Sequence, residues 1–287
     1  MYICPREFKI NFAMTKNGNH IITITSDWGI KDYYLAIVKG QLLSCCPNAT
    51  IVDISHSIQP FNTSEAAFVL KKSYFHFPKG SWHVIEVSSS IPSNAPYLIV
   101  KYRDHFFIGY DDGVFSLIFD EKNPDEIFEI NDPPETLFPM RDIYIPVLSQ
   151  LLQGVDINNM AHPIPAISKR TYFKPTISLY EDKNKVIYML AGQVVYVDNY
   201  ENIFTNISRS DYENARHEIS TFNLHIGGGS SHPKLQISNN FKARNASDVT
   251  VLFIDDYLVI ALEQGNAAGL LGGSLEDSIL LEFIKEK

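Results

Sequence analysis

The apolar pattern changes character twice along the chain. His20 to Thr25 (HIITIT) reads as a buried, β-branched strand, followed by the polar turn Ser26-Asp27-Trp28-Gly29. Tyr34, Ile37, Val38 and Leu42 then recur at helical spacing, which predicts a helix over about 31–46 that Pro47 stops. ATIVDIS is a second strand, ending on the acid Asp53 and its neighbours. Asn62-Thr63-Ser64-Glu65 offers a cap for a helix carrying Ala66, Ala67, Leu70 and Tyr74, and SWHVIEVS is a third strand. Strand–helix–strand–helix–strand order predicts a parallel sheet with right-handed crossovers, a Rossmann-like α/β domain.

The period then shortens. APYLIVKYR, HFFIGYDDGVFSLIF and DEIFEI read as short alternating strands at an antiparallel edge of the same domain. DIYIPVLSQLLQG reads as a helix closed by Gly154. Pro163, Pro165 and Pro175 break any helical period, so a linker is expected, set at 166–176. From Ile177 onward several short apolar strands predict a smaller β-barrel domain. The expected organisation is an extension at 1–19, an α/β domain at 20–165, the linker, and a β-barrel domain at 177–287.

Composition narrows the function classes. The chain is 45% hydrophobic and 20% charged, which is a globular balance, and its net charge of -9 opposes binding to nucleic-acid phosphates or anionic lipid. Cys4, Cys45 and Cys46 cannot form a disulfide framework and show no zinc-ligand spacing, which suits a reducing cytoplasm and no metal. No apolar run is long enough for a bilayer, and Met1-Tyr2-Ile3-Cys4-Pro5 lacks the order of a signal peptide. A cytoplasmic protein with a small-molecule ligand is the expectation.

Several residues carry candidate chemistry. Asp27 follows a strand in an α/β pattern, where ligands gather beyond the carboxyl ends of strands, and a carboxylate there can accept both ribose hydroxyls. The alternative is a helix cap. Asp53 and His56 stand similarly after the second strand, with a satisfied loop histidine as the alternative. Gly227-Gly228-Gly229 lacks the phosphate-loop pattern and reads as a turn. In VDNYENIFTNIS, strand alternation would place Asp198, Tyr200, Asn202 and Phe204 on one face, suited to a planar base; an Asn-rich hairpin is the alternative.

SDWGIKDYYLAIVKG, IVDISHSIQPFNTSEAAFVL, the Phe77-Pro78 and Gly80 pattern, DDG at 111–113, RDIYIP, VDNYENIFTNI and GNAA at 265–268 occur in one order. Together, from about His20 to Leu271, they resemble the S-adenosylmethionine (SAM) hydroxide adenosyltransferases, relatives of the fluorinase and chlorinase enzymes. The resemblance implies an α/β domain followed by a β-barrel, a homotrimer with SAM at the subunit interface, and no separate cofactor. It also implies displacement at C5′ by water, giving adenosine and methionine.

By the same resemblance Asp27 holds the ribose diol, Phe61 packs by the ribose, Phe138 stands near another wall of the site, and Asp198 meets the methionine amino group. Tyr200 and Asn202 serve the adenine, with Asn266 and Ala267 in backbone contact to it. The water-activating Asp, Arg and His of the family are replaced by Ser88, Ala95 and Pro139. A halide pocket is unsupported too, because Met140 and Ile91 stand where halide-using members carry Ser and Thr. Phe253-Ile254-Asp255-Asp256 stands where a methionine-carboxylate motif is expected, and an acid there would repel that carboxylate. Three readings follow: a SAM hydrolase with an unidentified water-activating group (Ser88, Ser89 and Ser90 are poor bases; His56 or His83 could substitute), a non-catalytic nucleoside-binding paralogue, or an enzyme for another 5′-substituted nucleoside.

Overall fold

The structure is a computed structural model that describes residues 20–87, 95–227, 229–241 and 248–287. The 1–19 extension, Ser88 to Ser90, Ile91 and Gly228 therefore lie outside the described residues. The fold is mixed α/β with two large sheets, one in each of two compact units, Met1–Thr171 and Tyr172–Lys287.

In the first unit, strand β1 (His20–Ser26), helix α1 (Tyr34–Cys45), β2 (Ala49–Ser55), α2 (Thr63–Ser73) and β3 (Trp82–Glu86) follow the expected alternation. β4 (Tyr97–Tyr102), β5 (His105–Tyr110), helix α3 (Val114–Ile118) and β6 (Glu126–Ile130) come next. A wide π turn (Met140–Tyr144) leads into α4 (Ile145–Leu152), and β7 (Ala161–Pro163) completes the sheet. Its order is β2-β1-β3-β5-β4-β6-β7, parallel from β2 to β5 and antiparallel beyond.

Alternation along the strands sorts two helical layers. Ile22, Ile24, Trp82 and Val84 pack with Val38 and Leu42 of α1 and Leu148 and Leu151 of α4. The opposite face carries His83 and Phe107 against Tyr74 and Phe119, just beyond α2 and α3. Truncating a buried side chain of this kind to alanine costs roughly 2–5 kcal/mol. The cap at Asn62 holds as expected, its side chain accepting the Glu65 N–H at 3.0 Å.

Two local expectations change. The 31–46 helix starts only at Tyr34, with Tyr33 as an N-cap that makes no side-chain bond. The HFFIGYDDGVFSLIF stretch is one strand and one helix, because Gly113 adopts φ +95° and Asp112 accepts the Val114 N–H at 3.1 Å. A positive φ suits glycine and breaks strand continuation.

The second unit holds β8 (Thr176–Glu181), β9 (Lys185–Val197), β10 (Ile203–Ser208), helix α5 (Arg209–Arg216), β11 (Phe222–Ile226), β12 (Ser230–Leu235), β13 (Val249–Ile254), β14 (Tyr257–Leu262), helix α6 (Ala267–Leu271) and β15 (Ser278–Glu286). α5 corrects the all-β expectation; a reciprocal capping box between Ser208 and Asp211 starts it. The sheet runs β12-β11-β15-β9-β10-β14-β13, with β8 beside β9. Its two ends approach where Ser238 N–H donates to Val251 C=O at 2.7 Å, so the sheet is nearly barrel-shaped.

Candidate functional site

In the first unit, Ser26 at the end of β1 lies opposite Glu86 at the end of β3, and Asp27 follows immediately. Asp27 is not a helix cap. Its Oδ2 accepts the Phe61 N–H at 2.9 Å, which ties the loop after β1 to the loop after β2. The same two loops are joined by Gly29 N–H to the His56 carbonyl at 2.7 Å and by Ser26 Oγ to His56 Nδ1 at 2.7 Å. Phe61 is 68% exposed and holds φ +68°, a conformation that costs a non-glycine residue roughly 1–3 kcal/mol.

The residue after Asp27, Trp28, meets Phe138 edge-on at 5.3 Å, and Tyr34 meets the same ring at 5.7 Å. Asp27, Phe61 and Phe138 are thus gathered at one end of the parallel strands. This is where an open α/β sheet offers its crevice.

Asp53 and His56 have structural partners. Asp53 lies 2.6 Å from Lys39 Nζ and 3.2 Å from His56 Nε2, the latter without hydrogen-bond alignment. Burial works against the charged form, yet Lys39 and His56 hold the Asp53 carboxyl below its usual range. His83 bonds Thr23 Oγ1 at 2.8 Å and His105 at 3.2 Å on the opposite face of β3 from Glu86. Burial and His105 push its pKa down to about 3, so it stays neutral and inward. Neither histidine lines the cavity described next.

A residue missed in the sequence dominates the strand end. On β3, Trp82 and Val84 face the core, and period two calls for a third apolar residue at position 86. The chain places Glu86 there, 9% exposed, with Oε2 accepting the Met140 N–H from the start of the π turn. Burial, then Asp27 and Asp142, push the Glu86 carboxyl up to about 8, against the Met140 bond. Glu86 lines a cavity of about 220 Å³ whose wall includes Thr63, Tyr97, Tyr110, Asp112 and Tyr144. Pro139 lines it too. The legible signal was an acid inside an otherwise buried run, WHVIEV.

In the second unit, the expected strand face across 198–204 is broken: 198–202 form a turn between β9 and β10, and Phe204 stands on β10. Asp198 Oδ1 accepts the N–H groups of Tyr200 and Asn202, each at 2.9 Å, and Oδ2 accepts Asn202 Nδ2 at 2.9 Å. An Asp side chain that bonds its own following backbone favours a turn over the strand. Asn202 is therefore buried at 8% exposure, while Tyr200 stands 77% exposed. Asn266 caps α6, its side chain accepting the Gly269 N–H at 2.5 Å.

Ala268 N–H donates to the Glu201 carbonyl at 3.0 Å, which brings the turn and the Asn266-Ala267 segment together. Asp255 and Asp256 form the β13–β14 turn with φ of +45° and +72°, and Asp256 accepts the Arg209 N–H at 3.1 Å. The predicted site residues thus fall into two groups, one in each unit. Among the described residues, no group of three or more His, Cys, Asp or Glu is placed to hold a metal. No helix among them is long and apolar enough to cross a membrane.

Comparisons with known proteins bear on these groups. The SAM hydroxide adenosyltransferase N-terminal domain matches residues 22–161, and the C-terminal domain of the same family matches residues 192–280. An (R)-S-adenosyl-L-methionine hydrolase of Methanocaldococcus jannaschii is 24% identical over 273 residues, spanning 90% of this chain and 94% of the relative. A fluorinase of an Actinoplanes species is 24% identical over 232 residues, covering 70% of this chain and 76% of the relative. A crystal structure of a conserved protein from Thermotoga maritima superposes with a TM-score of 0.76 at 25% identity, covering 91% of this chain and 99% of that one.

Proposed function

The chain belongs to the SAM hydroxide adenosyltransferase family, and we propose that it is a SAM hydrolase-like enzyme. It displaces methionine from C5′ of SAM by water, and adenosine and methionine are the products. The observation that carries this reading is Asp27, fixed at the carboxyl end of β1 by the Phe61 N–H and flanked by the Trp28–Phe138 aromatic wall. A carboxylate held there accepts two vicinal hydroxyls, and the aromatic groups supply an apolar side for the sugar.

In this reading Phe61 and Phe138 bound the ribose, Asp198 meets the amino group, and Tyr200, Asn202, Asn266 and Ala267 receive the adenine. Asp198 already accepts N–H groups on both oxygens, but a carboxylate has about four lone-pair sites and can take a further donor. SAM is the only small molecule required, the first unit acts as a Rossmann-like ligand domain, and the working form is a cytoplasmic homotrimer with an interfacial site. Light scattering tests the trimer, which a monomeric mass sinks.

A second reading, a nucleoside-binding protein without turnover, is favoured by Ala95 and Pro139 at two of the family's water-activating positions. Long incubation of the purified protein with SAM, following adenosine by chromatography against Asp27→Ala, separates the two. Adenosine above the control supports the hydrolase. Its absence, with adenosine still bound, leaves the binding protein.

A further inference from the structure

We propose that Glu86 is the general base of this chain, taking the proton from the water that attacks C5′; this rests on the SAM-hydrolase reading above. The position itself makes the case. Glu86 closes β3 directly opposite Ser26, one residue from Asp27, and it lines the cavity at that strand end. At about 220 Å³ the cavity is smaller than the ~300–1,000 Å³ of pockets that bury a whole drug-sized ligand. It suits the reacting end of a nucleoside and a water.

The other acidic candidates are placed differently. Asp111, the second buried carboxyl among the described residues, accepts the Ser168 N–H on Oδ2 at 2.7 Å and leaves Oδ1 without a hydrogen-bond partner, but it does not line the cavity. Asp112 does line it, but one oxygen accepts the Thr63 hydroxyl at 2.7 Å and the other the Val114 N–H at the start of α3. Among the described residues, the cavity wall contains no Lys, Arg or His. Glu86 is therefore the wall group best suited to accept a proton near neutral pH.

The surroundings match the task. Asp27 and Asp142 face Glu86 with like charge, and Tyr97 and Tyr144 stand around it as neutral phenols raised in pKa by burial and by Glu86. Asp142 is balanced by its own partner, Arg141, at 2.6 Å. A sulfonium entering this field supplies the missing positive charge and favours the ionised Glu86. The water oxygen then bonds C5′ as the C5′–S bond breaks, and its electron pair passes to sulfur as the neutral methionine thioether. The released water proton goes to Glu86 and then to solvent, so SAM and water give adenosine, methionine and one proton. The Met140 N–H holds Oε2, which keeps the carboxylate oriented as a base.

The test compares wild type, Glu86→Gln and Glu86→Asp in adenosine formation from SAM between pH 5.5 and 9.5. Binding of SAM and thermal melting are followed on the same preparations. Glutamine keeps an acceptor for Met140 and is isosteric with the neutral acid, so the fold is retained. Wild-type kcat/KM should rise with pH to a plateau above about 8. Glu86→Gln should lose about 100- to 10,000-fold and the pH dependence with it, while Glu86→Asp should recover part of the rate. Adenosine from wild type and Glu86→Gln at equal rates and with one pH profile overturns the assignment alone. No adenosine from wild type overturns both this and the hydrolase reading. An adenosyl ester on Glu86 in the intact mass overturns the base role, since the carboxylate would then be the nucleophile.

Discussion

Asp27 and Asp198 are both aspartates at the end of a strand, one in each compact unit, and they are used in opposite ways. Asp198 turns back on its own chain and satisfies the backbone of Tyr200 and Asn202. Asp27 reaches across to another loop, holds an aromatic residue in a costly conformation, and sits beside a buried acid. The second unit spends its polar groups on local structure. The first keeps charge, strain and a cavity together at one strand end, which is how binding sites store free energy at the expense of the fold.

If that contrast is right, substitutions in the first group should spare or improve stability while removing function, and those in the second should weaken the fold. The largest effect belongs to Glu86→Gln. A carboxyl raised to about 8 in the folded state is protonated there and ionised when unfolded between about pH 4.5 and 8, so its contribution falls as pH rises through that window. Glu86→Gln should therefore match wild type near pH 4 and exceed it at pH 9 by roughly 3–5 kcal/mol, read by denaturant melts. Equal pH slopes would remove Glu86 from the contrast.

Next comes Asp27→Ala, which should weaken adenosine binding about 100-fold in calorimetry while costing only about 1 kcal/mol of stability. A loss of fold without loss of affinity would place Asp27 with Asp198. For Asp198→Ala, the expected cost is roughly 1–3 kcal/mol, because the Tyr200 and Asn202 N–H groups lose their acceptor. Asn266→Ala should cost about 1 kcal/mol as a lost helix cap. Tyr200→Ala, so exposed, should leave melting unchanged within about 0.5 kcal/mol. It should still weaken nucleoside binding, since Tyr200 is assigned to the adenine, and unchanged affinity would remove Tyr200 from the site.

Much of the architecture was legible from periodicity, because Ile22, Ile24, Val38 and Leu42 obey the spacing their elements require. The Asn62 cap was legible for the same reason, its chemistry being local. The helix α3 was hidden because VFSLIF reads equally as a strand, and only the positive φ at Gly113 decides it. The 198–202 turn was hidden because alternation and side-chain capping compete over the same residues, and Asp198 settled the matter for the turn. Glu86 passed unnoticed because one acid in an apolar strand carries no spacing motif. Its meaning comes from a backbone N–H more than fifty positions away.

That N–H has a use of its own. Met140 opens the π turn, and its amide proton is bonded to a carboxyl that titrates close to physiological pH. Its nuclear magnetic resonance shift should follow the charge on Glu86, and hydrogen exchange at that amide should slow as the acceptor becomes anionic. The protein therefore carries an internal electrode wired to a single proton. A nucleoside analogue bearing a positive charge should move that reading by itself, without any bond being made or broken.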